Sequence, residues 1–178
     1  MHELLANKLA ALSIAIDDRM DAGALRSRSA AAALQTLRYW GPLTATELAR
    51  ILGVSQPTMV RVVGGLISQR LAKRRGKQAR SVAIELTAAG RGEAGRLQRA
   101  RLAGVAKLLR ALDAEQARSF EVSMDLLLSA VTDGRAAARR ICRFCAHDIC
   151  DGPACPVGAR ATALEGEFQE KPRGDIRA

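Results

Sequence analysis

The chain has 178 residues, of which 48% are hydrophobic and 3% aromatic, and its formal net charge is +10. This length favours one domain with appendages over two full domains, and the abundance of Ala and Leu favours a mainly helical fold. A charge this positive is typical of proteins with a polyanionic partner. No apolar run is long enough to span a membrane and no targeting signal is evident, so we expect a cytoplasmic protein without membrane contact.

Two helices are predicted at the start of the chain. From Glu3 to about Asp18, leucine and isoleucine recur at steps of three and four, which places them on one helical face until Gly23 breaks the pattern. A second amphipathic helix is predicted from about Ser29 to Trp40. Gly41-Pro42 ends this helix, because Pro cannot continue a helix and restricts the residue before it.

The next segment has the pattern of two short helices joined by a tight turn. Thr44 and Glu47 form a capping box for a helix from Ala45 to about Leu52, and Ser55 is a good N-cap for a second helix that runs to about Arg70. Small or apolar residues occupy the turn and the inward positions, so the pattern predicts a helix-turn-helix. These residues are Ala49, Gly53, Met59 and Val62.

The second helix of this pair carries side chains suited to a nucleic-acid groove. Its outward face would present groups that hydrogen-bond base edges or phosphates in a major groove. They are Gln56, Thr58 and Arg61, and Ser55 at the N-cap comes directly before them. An ordinary helical hairpin is the alternative on this segment alone.

A basic β-hairpin is predicted after the second helix. Residues 71–75 and 81–86 flank a polar tip at 76–79, and the second arm alternates apolar and small or polar residues like a half-buried strand. From Leu48 to Ile84 the chain contains no Asp or Glu. A cluster of positive charges without negative ones is typical of a surface that contacts phosphates. The basic residues of this stretch are Arg50, Arg61, Arg70, Lys73, Arg74, Arg75, Lys77 and Arg80.

Two longer helices and a tail are predicted to follow the hairpin. The first helix leads from Thr87 to about Leu112, and the second starts at the capping pair Asp113 and Gln116. Residues 158–178 show no periodicity, so we expect a disordered tail. The second helix carries an apolar stripe that favours packing between subunits. The stripe consists of Ala117, Phe120, Met124, Leu127 and Val131.

The run from Leu43 to Gly90 resembles the MarR family of winged helix-turn-helix regulators, and the resemblance extends over about residues 29–131. It implies a mainly α fold with a DNA-binding core at 43–90, a two-stranded β-wing, and dimerisation helices at both ends of a domain at 1–140. The residues that carry it are Leu48, Ala49, Leu52, Ser55, Gln56, Pro57, Thr58, Arg61, Leu66, Arg74, Arg80, Leu86, Thr87 and Gly90.

The resemblance also implies a mode of action. The protein would be a homodimer that places its recognition helix in the major groove of double-stranded DNA and its wing, with Arg80, on the minor groove. Many members are repressors that release DNA when a small-molecule effector binds. Leu12, Tyr39 and Trp40 are candidates to line an effector site, and they fit an ordinary core equally well.

Two positions depart from the family pattern. The wing usually has Asp two residues before its arginine, where Gln78 stands here. It usually has Gly before the leucine that opens it, where Arg70 stands here. Both departures concern the geometry of the wing, and neither changes the predicted fold.

All four cysteines of the chain lie within residues 141–157. Their spacing is that of zinc knuckles, with a cysteine in the place of the histidine, and four thiolates this close can surround one tetrahedral ion. The predicted ligands are Cys142, Cys145, Cys150 and Cys155. Basic neighbours would favour the thiolate forms. These neighbours are Arg139, Arg140 and Arg143.

The cysteine pattern leaves several interpretations open beside zinc. An iron–sulfur cluster also uses cysteines with a following Pro, as in Cys155-Pro156. Cys142 and Cys145 could form the disulfide of a redox switch, or the cysteines could be idle. His147 could replace one ligand. A bound metal would be either structural or a sensor of metal or redox state.

These patterns together favour a sequence-specific, double-stranded DNA-binding transcriptional regulator, acting as a homodimeric repressor. No Gly-rich phosphate loop is found, and the two histidines, His2 and His147, have no catalytic setting, so no enzyme is predicted. The alternative is a winged-helix protein-interaction adaptor with a structural zinc site.

Overall fold

The structure is a computed structural model that describes residues 2–21, 27–78, 81–150 and 154–170. The chain divides into two compact units, Met1–Asp113 and Ala114–Ala178. The sequence analysis placed the end of the first domain at residue 140 instead. The division comes earlier because the helix that follows Asp113 packs within the second unit.

The first unit combines helices with a small antiparallel sheet of order β1-β3-β2. Its helices are α1 His2–Asp21, α2 Arg28–Trp40, α3 Ala45–Leu52, α4 Gln56–Ser68 and α5 Ala88–Leu109. Its strands are β1 Leu43–Thr44, β2 Ala72–Gln78 and β3 Ser81–Leu86. The predicted mainly helical, winged helix-turn-helix architecture is confirmed. The sheet has one strand more than predicted, because Leu43 and Thr44 pair with Ile84 and Ala83 of β3.

The helix-turn-helix forms for the reasons that the sequence indicated. The backbone N–H of Thr44 donates to Glu47 Oε2 at 2.7 Å, and the N–H of Glu47 donates to Thr44 Oγ1 at 3.2 Å, which completes the capping box of α3. Gly53 ends α3 with φ +69°, a left-handed conformation that glycine adopts without steric cost. Leu48, Met59 and Leu66 are fully buried and form the core under the two helices.

A pair of buried amides connects α2 to α5. Gln35 and Gln98 are both buried, and Gln35 Nε2 donates a hydrogen bond to Gln98 Oε1. An amide without a partner in the core is costly, so this bond favours one register of α2 against α5.

The end of α4 explains one departure from the family pattern. Arg70 has φ +57°, and its N–H donates to the carbonyl of Ile67 at 2.9 Å. The N–H of Leu71 donates to the carbonyl of Leu66 at 2.9 Å, so α4 ends in a Schellman motif with Arg70 at the left-handed position. Glycine is favoured there because a side chain disfavours this conformation by about 1–2 kcal/mol.

The start of α5 lies against the start of the wing. Thr87 caps α5 by accepting the N–H of Gly90 at 3.0 Å, and its own N–H donates to the carbonyl of Leu71 at 3.0 Å. Gly90 approaches the same carbonyl so closely that a Cβ atom there would lie 1.9 Å from the oxygen. The Leu-Thr-x-x-Gly pattern therefore joins α5 to the base of β2.

The second unit contains α6 Ala114–Ala130, α7 Arg135–Ile141, a 3₁₀ turn at Cys142–Phe144 and α8 Pro156–Glu170. Helix α8 packs against both α6 and α7. The expectation of a disordered tail from residue 158 is therefore wrong for residues 158–170. Val157 and Ala161 are buried at helical spacing, and their small size made the pattern weak in the sequence. Residues 171–178 lie outside the described part.

No single helix in the described ranges has the length and hydropathy of a membrane span. Helices α3 and α4 pass that test only when they are taken together, across a bend of 114°.

Replacing Gly90 with Ala is expected to destabilise the first unit. The added Cβ meets a backbone oxygen rather than a flexible side chain, so either the wing or α5 must shift. We expect a loss of about 3 kcal/mol in the free energy of unfolding. Urea unfolding followed by the fluorescence of Trp40, the only tryptophan of the chain, measures it.

Gly92→Ala is the matched control, because a Cβ at Gly92 meets no atom within 4 Å. It should stabilise α5 by up to about 1 kcal/mol through helix propensity. Equal stability of the two variants would contradict the proposed role of the Gly90 contact.

Replacing Arg70 with Gly is expected to stabilise the first unit. Glycine removes the steric cost of the left-handed conformation. Part of this gain in stability is lost, because glycine also raises the conformational entropy of the unfolded chain. The free energy of unfolding should rise by about 0.5–1 kcal/mol. Gln69→Gly is the control, because Gln69 has φ −83° and should lose stability on the same change. A loss of stability in Arg70→Gly would refute the strain at this position.

Candidate nucleic-acid interface

The N-terminus of α4 is held by the side chains predicted to contact a groove. Ser55 is the N-cap, and its Oγ accepts the N–H of Thr58 at 3.3 Å and lies 2.8 Å from Thr58 Oγ1. Gln56 Nε2 donates to Thr46 Oγ1 of α3 at 3.2 Å. Ser55 and Gln56 are exposed and Thr58 is half-buried. These three residues therefore fix the start of α4 while their polar groups remain near its surface.

The outward face of α4 follows from the positions that are buried. Met59, Val63 and Leu66 face the core, so Arg61 and Gly64 lie on the opposite side of α4, and Val60, which is 53% exposed, lies next to them. The sequence analysis placed Val62 inward, but Val62 is half-buried and Val63 is the core residue. Val60 and Gly64 were not predicted to be exposed on α4. Counting helical positions from Met59 would have identified both.

Arg61 is exposed on α4 and lines an open cleft of about 370 Å³. The cleft also contacts Ser27 and Ala30, at the start of α2, and Glu93 of α5. Glu93 is ion-paired with Arg96 at 2.8 Å. In the part of the chain that the structure describes, Arg61 forms no ion pair, so its guanidinium is available to a partner.

The wing presents its cations unequally. Lys73 Nζ and Arg75 NH1 lie 3.1 and 3.6 Å from the carboxylate of Glu85, so one acidic residue serves two basic ones. Glu85 stands one position beyond the acid-free stretch of the sequence. Arg74 is exposed, and no carboxylate within the described ranges pairs with it. Arg74 is therefore more available to a partner than Lys73 and Arg75, which share Glu85.

The tip of the wing differs from the prediction. Strand β2 continues to Gln78 instead of ending at Arg75, with an irregularity at Gly76, where φ is +34°. Lys77 pairs with Val82 through the backbone. Arg80 lies outside the described residues, so its predicted place at the tip stays a prediction. The same holds for the side chains of Lys77 and Gln78.

The predicted cysteine ligands lie together at the junction of α7 and α8. Cys142 and Cys155 are buried, Cys145 and Cys150 are half-buried, and all four are free thiols. The N–H of Cys145 donates to the carbonyl of Cys142 at 2.9 Å, and the N–H of Gly158 donates to Cys155 Sγ at 3.1 Å.

The thiols perturb one another. The pKa of Cys142 is raised, first because its thiol is hydrogen-bonded to Cys145 and then because it is buried. Burial, followed by the neighbouring Cys155, raises the pKa of Cys150 to about 11. Within the described ranges, however, no group of three or more His, Cys, Asp or Glu side chains is arranged to hold a metal ion. The predicted metal centre stays a prediction.

An ion pair connects the two helices that frame the thiols. Arg135 Nε of α7 donates to Glu165 Oε1 of α8 at 3.0 Å, and this bond raises the pKa of the guanidinium. The same hydrogen bond lowers the pKa of Glu165. The pair adds a polar contact to the packing of α7 on α8.

The comparisons with known proteins agree with this geometry. The MarR family model matches residues 26–81. The structure of the MarR family protein Rv2887 of Mycobacterium tuberculosis in complex with DNA is 27% identical, with a TM-score of 0.54 over 71% of this chain and 96% of that chain. No curated protein matches the chain.

Two further structures share the fold at lower identity. MepR, a transcription regulator of the multidrug efflux pump MepA of Staphylococcus aureus, is 18% identical, with a TM-score of 0.64 over 70% of this chain and 96% of that chain. A MarR family protein from Bacillus stearothermophilus is 21% identical, with a TM-score of 0.66 over 74% and 95%. The matched family consists of transcription regulators and not of enzymes. Residues 26–81 therefore match the MarR family model, and the chain shares the winged helix-turn-helix fold of these MarR family structures.

Proposed function

We propose that the chain is a homodimeric repressor that recognises a specific sequence in double-stranded DNA. The observation that carries the proposal is the outward face of α4, where Arg61 is exposed and forms no ion pair among the described residues. The resemblance in fold to Rv2887, a protein solved with DNA, supports it.

The phosphate backbone would supply most of the affinity. Arg50, Arg61 and Arg74 are exposed and form no ion pair among the residues that the structure describes. Each can neutralise a phosphate and release a counterion, which makes binding weaker as salt increases. Lys73 and Arg75 share Glu85, so they contribute less unless the DNA displaces that carboxylate.

Sequence would be read by the N-terminal half of α4. Gln56 and Arg61 can each form two hydrogen bonds to a base edge, and the methyl groups of Val60 can contact a thymine methyl. Because Ser55 and Thr58 hold the first turn, these side chains project from a fixed helix end. Fixed donors discriminate between bases better than mobile ones.

Two apolar surfaces support assembly with a second copy of the chain. In the first unit, α1 and α5 expose Leu4, Leu5, Leu9, Ile14, Leu102 and Leu109. In the second unit, α6 has no buried residue and exposes Val122, Leu126 and Leu127, and Val131 directly after it is also exposed. Apolar surface on this scale is typical of an interface rather than of a solvated face. Of these helices, α1 and α6 are the terminal ones that the family resemblance assigns to dimerisation.

A response to a small molecule also belongs to this proposal. Rv2887 has been solved with salicylic acid, which supports ligand binding by proteins of this fold. An occupant of the open cleft beside α4 would contact Arg61 directly and would compete with DNA for its guanidinium. The predicted lining residues Leu12, Tyr39 and Trp40 are half-buried, and the described cleft is lined by other residues.

Arg61→Ala is expected to weaken specific binding more than nonspecific binding. Loss of a bidentate base contact costs about 1–3 kcal/mol, or roughly 5- to 150-fold in Kd. Loss of a single phosphate contact acts on all sequences alike. Kd would be measured on the duplex that the protein enriches from a random pool and on a shuffled duplex of equal length.

Arg110→Ala carries the same change in charge outside α4 and the wing, so its Kd on both duplexes should stay near that of the wild type. If Arg61→Ala lost the same factor on both duplexes, Arg61 would contact phosphate only. If it lost nothing on either, the assignment of α4 as the recognition helix would fail.

A further inference from the structure

We propose that the four cysteines of the second unit bind one thiophilic metal centre as a four-thiolate site, with Zn²⁺ as the first candidate. The site is formed by Cys142, Cys145, Cys150 and Cys155 and does not depend on the proposed DNA interface. The starting point is the composition of the core that these cysteines occupy.

The core of the second unit is too small to explain a stable fold. Its described, buried apolar residues are Ala138, Cys142, Ala146, Cys155, Val157 and Ala161. Val157 is the only branched aliphatic residue among them, and two of the six are the cysteines themselves. A unit of fewer than about 70 residues with so little apolar volume usually needs a disulfide, a metal or association with another chain to hold it together. The four cysteines are free thiols here, which leaves them available to a metal beside any contact that α6 makes with a second copy.

The ends of α7 and α8 bring the thiols together as two neighbouring pairs, Cys142 with Cys145 and Cys150 with Cys155. Cys142 directly follows α7, Cys155 directly precedes α8, and the two helices are joined by the ion pair between Arg135 and Glu165. Cys145 and Cys150 lie in the segment between them, and each hydrogen-bonds to another cysteine of the set. A shared ion would require these two pairs to converge, because no three of the described side chains are yet arranged around one point.

The start of α8 is suited to a metal-bound thiolate. Cys155 takes the N-cap position, and the N–H of Gly158 donates to its sulfur at 3.1 Å. A Cβ atom at Gly158 would lie 3.2 Å from that sulfur, so glycine leaves room for the contact. Amide donors to sulfur and the positive end of a helix both stabilise the thiolate.

Three arginines lie close in sequence to the first two thiols. Four thiols that bind one Zn²⁺ release four protons and leave a net charge of −2. Arg139 and Arg140 are exposed on α7, and Arg143 lies in the turn after it. Asp125 of α6 lies close enough to Cys150 to act on its thiol, so the surroundings of the cluster carry charges of both signs.

The test is the metal content of the full-length protein purified anaerobically without chelator. We expect close to one Zn²⁺ per chain, or iron with inorganic sulfide if the centre is a cluster. Zn²⁺ and an iron–sulfur cluster would both use the four thiolates. The metal found and the presence of inorganic sulfide distinguish them. All cysteines of the chain belong to the site, so thiol titration should find four reactive groups only after the metal is removed.

Cys145→Ser should lose most of the metal, and His147→Ala should keep it. The second variant is the matched control, since His147 lies in the same segment and is the histidine that the sequence offers as an alternative ligand. Loss of metal from His147→Ala would overturn the four-thiolate assignment.

If Cys145→Ser does not fold, Co²⁺ titration of the metal-free wild type decides instead. Tetrahedral thiolate coordination should give intense visible bands that saturate at one equivalent, and Zn²⁺ should bleach them. A wild-type protein with four reactive thiols and no such bands would overturn the proposal, as would one whose cysteines form disulfides.

Discussion

The backbone of Leu71 is the contact on which the rest of the first unit depends. Its N–H closes the end of α4 by donating to Leu66, and its carbonyl accepts the N–H of Thr87 at the start of α5. Gly90 packs closely against the same carbonyl, which leaves no room for a side chain there. One residue thus joins the recognition helix, the first strand of the wing and the helix that follows the wing.

That junction explains how a small domain can present two basic surfaces at a fixed spacing. Helix α4 leads into β2 through Arg70, and β3 returns to α5 through Thr87, so the wing cannot move far from α4 without breaking these bonds. The outward face of α4 and the cations of β2 can then act on one duplex. Fixed spacing matters because phosphate contacts set the register in which base contacts are read.

The sequence predicted most of the first unit because local signals there are strong. The capping box at Thr44 and the left-handed Gly53 place α3 at its predicted bounds, Ala45–Leu52. Sequence reasoning noticed Arg70 only as a departure, because a positive φ at a non-glycine residue has no signature of its own. Glu85 pairs with two cations because of the register between β2 and β3. That register cannot be obtained by counting charges along the chain.

The second unit was harder to predict because its helix α8 buries small residues. Val157 and Ala161 give too weak an apolar pattern to predict a helix beside Gly158 and Gly166. The cysteine spacing predicted a cluster of four cysteines, and these residues lie between α7 and α8. It could not fix the positions of the sulfur atoms, since those depend on the fold of the connecting segment.

The central claim is that two copies of this chain read duplex DNA through α4. Selection of binding sites from a random pool of duplexes by the full-length protein tests it most directly. The account predicts an enriched inverted repeat whose half-sites lie about one helical turn, or 10 base pairs, apart, since a two-fold dimer presents two recognition helices. Enrichment of a motif without two-fold symmetry, or no enrichment at all, would contradict it.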